Sequence, residues 1–123
     1  MSPPTVLVVE DDPVILRLLE VNFELEGFAV LSAHDGAEGI EVARAEKPDV
    51  IVSDIMMPNT SGLELLAAIR ADAATKAIPI VLLSAKAQTN DLKVGLDAGA
   101  DDYLTKPFEP VDLVNRVNAL LAR

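Results

Sequence analysis

The chain has 123 residues, 50% of them hydrophobic, with a formal net charge of −10 and no cysteine. That length suits one domain with a real core, and the missing cysteines exclude disulfides, thiolate metal sites and thiol nucleophiles. Lysines and arginines are scattered in an acidic background, which argues against direct binding to nucleic acid, whose phosphates call for clustered positive charge. No apolar run approaches the roughly 18 residues of a membrane span. Met1-Ser2-Pro3-Pro4 lacks the basic-then-apolar pattern of a signal peptide. A soluble cytoplasmic protein is the expectation.

Val6-Leu7-Val8-Val9 reads as a first strand and runs into three acids, Glu10, Asp11 and Asp12. Pro13 opens an amphipathic stretch with an apolar stripe through Val14, Leu18, Val21 and Leu25, and Gly27 is its stop. Asp12, directly before Pro13, suits either the cap of that helix or a place in an acidic site. Phe28-Ala29-Val30-Leu31 is the second strand, and His34 follows it in a surface loop. Asp35 with Glu38 has capping-box spacing and starts a second helix. Val50-Ile51-Val52-Ser53 is a third strand that ends on Asp54. Ser61 and Glu64 repeat the capping spacing for a third helix. Ile80-Val81-Leu82-Leu83 is the fourth strand and ends on Ser84. About Asn90 to Ala98 is the weakest helical stretch. Tyr103-Leu104 is a weak fifth strand followed by Lys106. Pro110 suits the first turn of a last helix with Val114, Val117 and Leu121 on one face.

Three of the strand runs are almost continuous in Val, Ile and Leu, as expected for strands covered on both faces of a parallel sheet. Five βα units in succession predict an open α/β sheet with helices on both sides. One domain spans residues 1–123, with residues 1–4 as a flexible N-terminus.

In such sheets ligands bind beyond the carboxyl ends of the strands. Four of the five ends carry a functional group: Glu10-Asp11-Asp12, Asp54, Ser84 and Lys106. The first turn is no dinucleotide site, since it has acids where glycines would be needed. Three acids would repel a phosphate unless a cation stood between, and hard oxygen ligands favour magnesium or manganese. A carboxylate oxygen of Asp54 can then attack a phosphoryl group. Lys106 offers a compact positive charge and Ser84 a hydroxyl to its oxygens.

The sequence resembles the CheY-like receiver domain of two-component response regulators. The resemblance rests on Val8-Val9-Glu10-Asp11-Asp12, on Ser53-Asp54-Ile55-Met56-Met57-Pro58 with Ser61-Gly62, on Leu83-Ser84-Ala85, and on Gly99-Ala100-Asp101-Asp102-Tyr103-Leu104-Thr105-Lys106-Pro107-Phe108. It covers essentially the whole chain and implies a flavodoxin-like (βα)5 fold with strand order 2-1-3-4-5. It implies Asp54 as the phosphoacceptor. The magnesium ligands would be Asp11, Asp54, the backbone carbonyl of Met56 and, through water, Glu10. Ser84 and Tyr103 would be switch residues, Lys106 the cation on the phosphoryl group, and Lys106-Pro107 a cis bond. Implied partners are a histidine kinase or histidine phosphotransfer protein, which donates the phosphoryl group, and a downstream target or effector domain. The surface of the fourth helix, fifth strand and fifth helix would signal and could form a phosphorylation-dependent homodimer. Asp101, Asp102 and Arg116 fall on those segments. The domain would be a signalling element, not an enzyme, catalysing only its own phosphorylation and dephosphorylation.

A magnesium-dependent phosphatase with an aspartyl nucleophile is the alternative. It needs an acid two residues after the nucleophile, and that position is Met56. A receiver that is never phosphorylated is disfavoured because every site position is filled. Met56 and Lys86, each two residues beyond a site residue, are expected to tune the lifetime of an aspartyl phosphate. No effector segment follows Arg123, so a stand-alone receiver and the receiver part of a longer regulator both fit.

Overall fold

The computed structural model describes residues 3–85, 96 and 98–123. Its elements in chain order are β1 (Thr5–Val9), α1 (Pro13–Leu25), β2 (Ala29–Ala33), α2 (Gly36–Glu46), β3 (Val50–Asp54), α3 (Gly62–Ala71), β4 (Ile80–Ala85), β5 (Asp102–Lys106) and a C-terminal helix (Pro110–Leu121). The strands form one parallel sheet in the order β2-β1-β3-β4-β5. The helix expected over about Asn90 to Ala98 falls largely outside the described residues, as do Lys86 and the first two residues of the expected flexible N-terminus. Pro4 is tethered, its carbonyl accepting from Ala29 N at 2.9 Å.

Alternation along the strands divides the core in two. Val6, Val8, Val50, Val52, Val81 and Leu83 face α1 and the C-terminal helix, whose Leu16, Leu19, Phe23, Leu113, Val114 and Val117 complete one layer. Leu7, Val9, Ile51, Ile80 and Leu82 face α2 and α3, whose Ala43, Leu65, Leu66 and Ile69 complete the other. The inner strands β1, β3 and β4 are therefore buried on both faces, as their unbroken apolar sequences require, and the edge strands β2 and β5 are only partly covered.

The face that α1 buries corrects the expectation. Val14 and Leu25 are 77% and 80% exposed, and Leu16, Leu19 and Phe23 are buried instead. Both sets recur at helical spacing, so periodicity does not choose between them. Packing does. Gly27, at φ 89°, closes the helix with Gly27 N on Glu24 O at 3.1 Å and Phe28 N on Phe23 O at 3.0 Å. That turn needs the left-handed conformation glycine adopts freely. It stacks Phe28 edge-on against Phe23, with ring centroids 5.1 Å apart. Burying such side chains contributes roughly 1.5–3 kcal/mol each, which fixes the rotation of α1.

The helix starts follow the caps. Asp12 accepts from Val14 N at 2.9 Å and Ile15 N at 3.4 Å, with Pro13 in the first turn. Ser61 and Glu64 form a full reciprocal capping box. At α2 only half of the box forms: Asp35 accepts from Glu38 N, while the Glu38 carboxylate accepts from His34 N at 2.7 Å. His34 lies exposed there. The C-terminal helix buries Val114 and Val117 as expected, adds Leu113, and packs Leu121 at its margin. Among the described residues no helix is long and apolar enough to cross a membrane.

Candidate functional site

The pleat that builds the core also builds the site. Two residues beyond Val8 on the same face is Glu10, two beyond Val52 is Asp54, and two beyond Leu104 is Lys106. Val8 is partnered with Val52, so Glu10 and Asp54 leave adjacent strands at one level. Both are almost fully buried, at 1% and 5% exposure. Lys106 comes from the end of β5, beyond β4, and its stem reaches back over the sheet edge. Its Nζ lies 3.0 Å from Asp54 Oδ2 and 3.2 Å from Glu10 Oε1. The other Glu10 oxygen accepts from Asp12 N at 3.2 Å.

One ammonium faces two buried carboxylates, and the charge does not balance. Burial, then the neighbouring Asp54 charge, pushes the Glu10 carboxyl up to about 7, although the Asp12 N–H and Lys106 pull the other way. For Lys106, burial is the largest single influence and favours the neutral amine. The hydrogen bond and charge of Asp54, helped by Glu10, more than offset it and leave its pKa raised. Glu10, Asp11 and Asp54 each place a carboxylate oxygen within 4.8 Å of the others. A cluster of hard oxygens with excess negative charge fits a divalent cation such as magnesium, which would supply the missing positive charge.

The remaining expected residues take several positions. Asp11 is exposed at the mouth of the cluster. The Asp12 side chain is committed to capping α1, so its contribution to the site is its backbone N–H on Glu10. Met56 follows in the β3–α3 loop with an exposed side chain, whereas Met57 packs on the second core layer. Ser84 is fully buried, and its hydroxyl donates to Ala85 O at 3.1 Å. In the sheet Asp54 is partnered with Leu83, and Ser84 with Thr105. Alternation then sets Ser84 on the α2/α3 face of the sheet with Leu82, and Tyr103, partnered with Leu82, on that face too. Tyr103 is partly exposed there. The Lys106-Pro107 bond is cis.

The sequence did not reveal that Glu10 pairs directly with Lys106. The signal was available, since Glu10, Asp54 and Lys106 share one strand parity. Asp101 and Asp102 also turn inward rather than standing free. Asp101 pairs with Arg70 at 2.9 Å and Arg123 at 3.0 Å and accepts from Ile80 N, and Asp102 pairs with Arg116 at 2.9 Å. Arg70 also donates to the carbonyls of Lys76, Ile78 and Gly99, tying the end of α3 to the segments leading into β4 and β5.

Comparison with known proteins gives the same fold. The family model for the response regulator receiver domain matches residues 6–118. The chain is 43% identical over 122 residues to the probable transcriptional regulatory protein TcrX of Mycobacterium tuberculosis, covering 99% of this chain and 51% of that protein. It is 47% identical over 123 residues to the transcriptional regulatory protein PrrA of Mycobacterium leprae, covering 100% of this chain and 52% of that one. It thus spans about half the length of these relatives. Among solved structures, a putative response regulator from Chloroflexus aurantiacus superposes with a TM-score of 0.94 at 37% identity, covering 99% of this chain and 100% of that one. The receiver domain of the Pseudomonas aeruginosa sensor histidine kinase PA1611, with a magnesium ion in its active-site cleft, superposes with a TM-score of 0.91 at 30% identity, covering 99% and 100%. The chain belongs to the response regulator receiver domain family of two-component signalling proteins.

Proposed function

We propose that Asp54 is the phosphoacceptor of a magnesium-dependent switch, fed by a histidine kinase or a histidine phosphotransfer protein. The observation that carries this reading is the convergence of Asp54, Glu10 and Lys106 from three strand ends, with more negative charge than the one ammonium offsets. Asp11, Asp54 and the Met56 carbonyl would hold the cation, and Glu10 would contribute through water. When bound, magnesium neutralises charge on the attacking carboxylate and the transferred oxygens; manganese can replace it.

The carboxylate of Asp54 attacks phosphorus, the bond from phosphorus to the donor imidazole nitrogen breaks, and the imidazole leaves with that electron pair. Lys106 exchanges its bond to Asp54 for one to a phosphoryl oxygen. Burial makes that charge contact strong, and the rigid strand ends hold it in place. Hydrolysis of the aspartyl phosphate restores the resting site.

Phosphorylation adds charge at the edge of β3, and the hydroxyl of Ser84 moves toward it. Tyr103, on the same sheet face, follows into the space Ser84 leaves. The surface built on β5 and the C-terminal helix then changes for a downstream protein or a second copy of the domain. This domain serves, in the cytoplasm, as the receiver portion of a transcriptional regulator that reads DNA through another part of its chain, in keeping with the relatives that it half covers. Residues 1–123 act as one receiver unit.

The test is NMR with magnesium and beryllofluoride, a phosphoryl mimic. Amide signals of Asp54, Ser84 and Tyr103 should shift in the wild type and stay still in Asp54→Ala. Unmoved Ser84 and Tyr103 signals in wild type that binds the mimic would refute the switch.

A further inference from the structure

The loop that carries the Met56 carbonyl is strained and held from outside. Thr60 N donates to Pro58 O at 2.9 Å across Asn59, whose φ is 67°. A three-residue turn with positive central φ is rare, and it persists only where its surroundings over-determine it.

Two glycines supply those surroundings. A methyl group on Gly62 would lie 2.3 Å from Asp54 O and 2.9 Å from Ile55 Cα, so the far end of the loop rests directly on the acceptor's own backbone. Gly62 N also donates to Ile55 O at 2.9 Å. The near contact comes from a different element. A methyl group on Gly36, the first residue of α2, would lie 2.5 Å from Thr60 O and 2.6 Å from Thr60 Cγ2. A backbone oxygen cannot rotate away as a long side chain can, so either α2 or the loop would have to move.

Helix α2 is not free to yield. Asp35 caps it through Glu38 N at 2.8 Å. One turn on, Gly39 packs so tightly that a methyl there would sit 2.8 Å from Leu65 Cδ1 and 2.9 Å from Val9 Cγ2. The helix start is thus pinned against β1 and α3, and the displacement falls on Thr60 and the strained turn behind it.

We propose that Gly36 is a positioning residue for the cation site, holding the Met56–Ser61 loop in place through close contact with both the carbonyl oxygen and the side-chain methyl of Thr60. The inference rests on the magnesium site proposed above and names a residue on α2 that this site depends on.

The experiment is magnesium titration of the 123-residue protein followed by backbone amide NMR, for wild type, Gly36→Ala, Thr60→Ala and Gly27→Ala. Gly36→Ala should move the metal-free amides of the Met56–Ser61 loop and weaken magnesium binding about tenfold, the lower end of what outer-shell changes cost a metal site. Thr60→Ala removes the methyl group facing Gly36 without touching α2. It should perturb the same amides and weaken binding in the same direction, which keeps the test decisive if Gly36→Ala fails to fold. Gly27→Ala is the control. A methyl there meets nothing within 4 Å, but the φ of 89° strains it, so it should lower stability and leave magnesium affinity unchanged. Wild-type affinity in Gly36→Ala or, where that variant does not fold, in Thr60→Ala, or equal weakening in Gly27→Ala, overturns the inference. Absence of magnesium binding in wild type would instead overturn the cation site itself.

Discussion

Glu10 should make the metal-free protein lose stability as pH rises through neutrality. Its carboxyl is raised from 4.5 to about 7 in the folded state. Between those values the native protein binds more protons at this site than the unfolded chain, so stability falls with increasing pH. The contribution is fully present below pH 4.5 and is lost as pH rises to about 7 and above. A shift of that size corresponds to a limit of about 3 kcal/mol, of which about 2–3 kcal/mol should disappear between pH 5 and pH 8. Lys106, with its pKa raised from 10.5, stays protonated across that window and adds no slope. The chain has one tyrosine and no tryptophan, so urea unfolding is best followed by far-UV circular dichroism. The comparison is wild type against Glu10→Gln, both in EDTA. The stability difference should move in favour of the Gln variant by that amount as pH rises. A difference that stays flat with pH would refute the electrostatic account. Saturating magnesium holds the acids deprotonated, so its stabilising effect should in turn grow with pH, contributing about 1.4 kcal/mol at tenfold over its dissociation constant.

Three further outcomes follow from the same geometry. Lys106→Met leaves Glu10 and Asp54 buried with no cation and should cost about 3 kcal/mol in EDTA at pH 8, with much of the loss recovered in magnesium; an equal loss in both conditions would contradict the shared-charge reading. Asp11→Asn should shrink the magnesium-induced rise in Tm while slightly raising metal-free stability, as differential scanning calorimetry would show. Met56→Asn, at an exposed side chain beside the acceptor, should change the aspartyl-phosphate lifetime more than magnesium affinity, measured by phosphate release and by titration; an unchanged lifetime would remove Met56 as a tuning position.

Much of the fold was legible because the strands are local features. Val6–Val9, Val50–Val52 and Ile80–Leu83 are too short and too apolar for surface helices, and Asp12, Asp35 and Ser61 mark helix starts by their own side chains. What was not legible depends on contacts across the sheet. Val14–Leu18–Val21–Leu25 and Leu16–Leu19–Phe23 are both periodic, and packing against the sheet and the C-terminal helix, with Phe23 on Phe28, selects which set goes inside. The Ser84 register is set by pairing with β3 and β5, which no local pattern encodes. The Glu10–Lys106 pair spans 96 positions and appears only once β1 and β5 lie in one sheet. The Gly36–Thr60 contact is more hidden still, because neither residue carries a charge or an apolar signal.

The central claim, that Asp54 accepts the phosphoryl group, is tested most directly by intact mass. The protein is incubated with acetyl phosphate and magnesium, quenched in acid and weighed. The account predicts the mass of one added phosphoryl group on wild type, and none on Asp54→Asn or in EDTA. A full phosphoryl adduct on Asp54→Asn would contradict it.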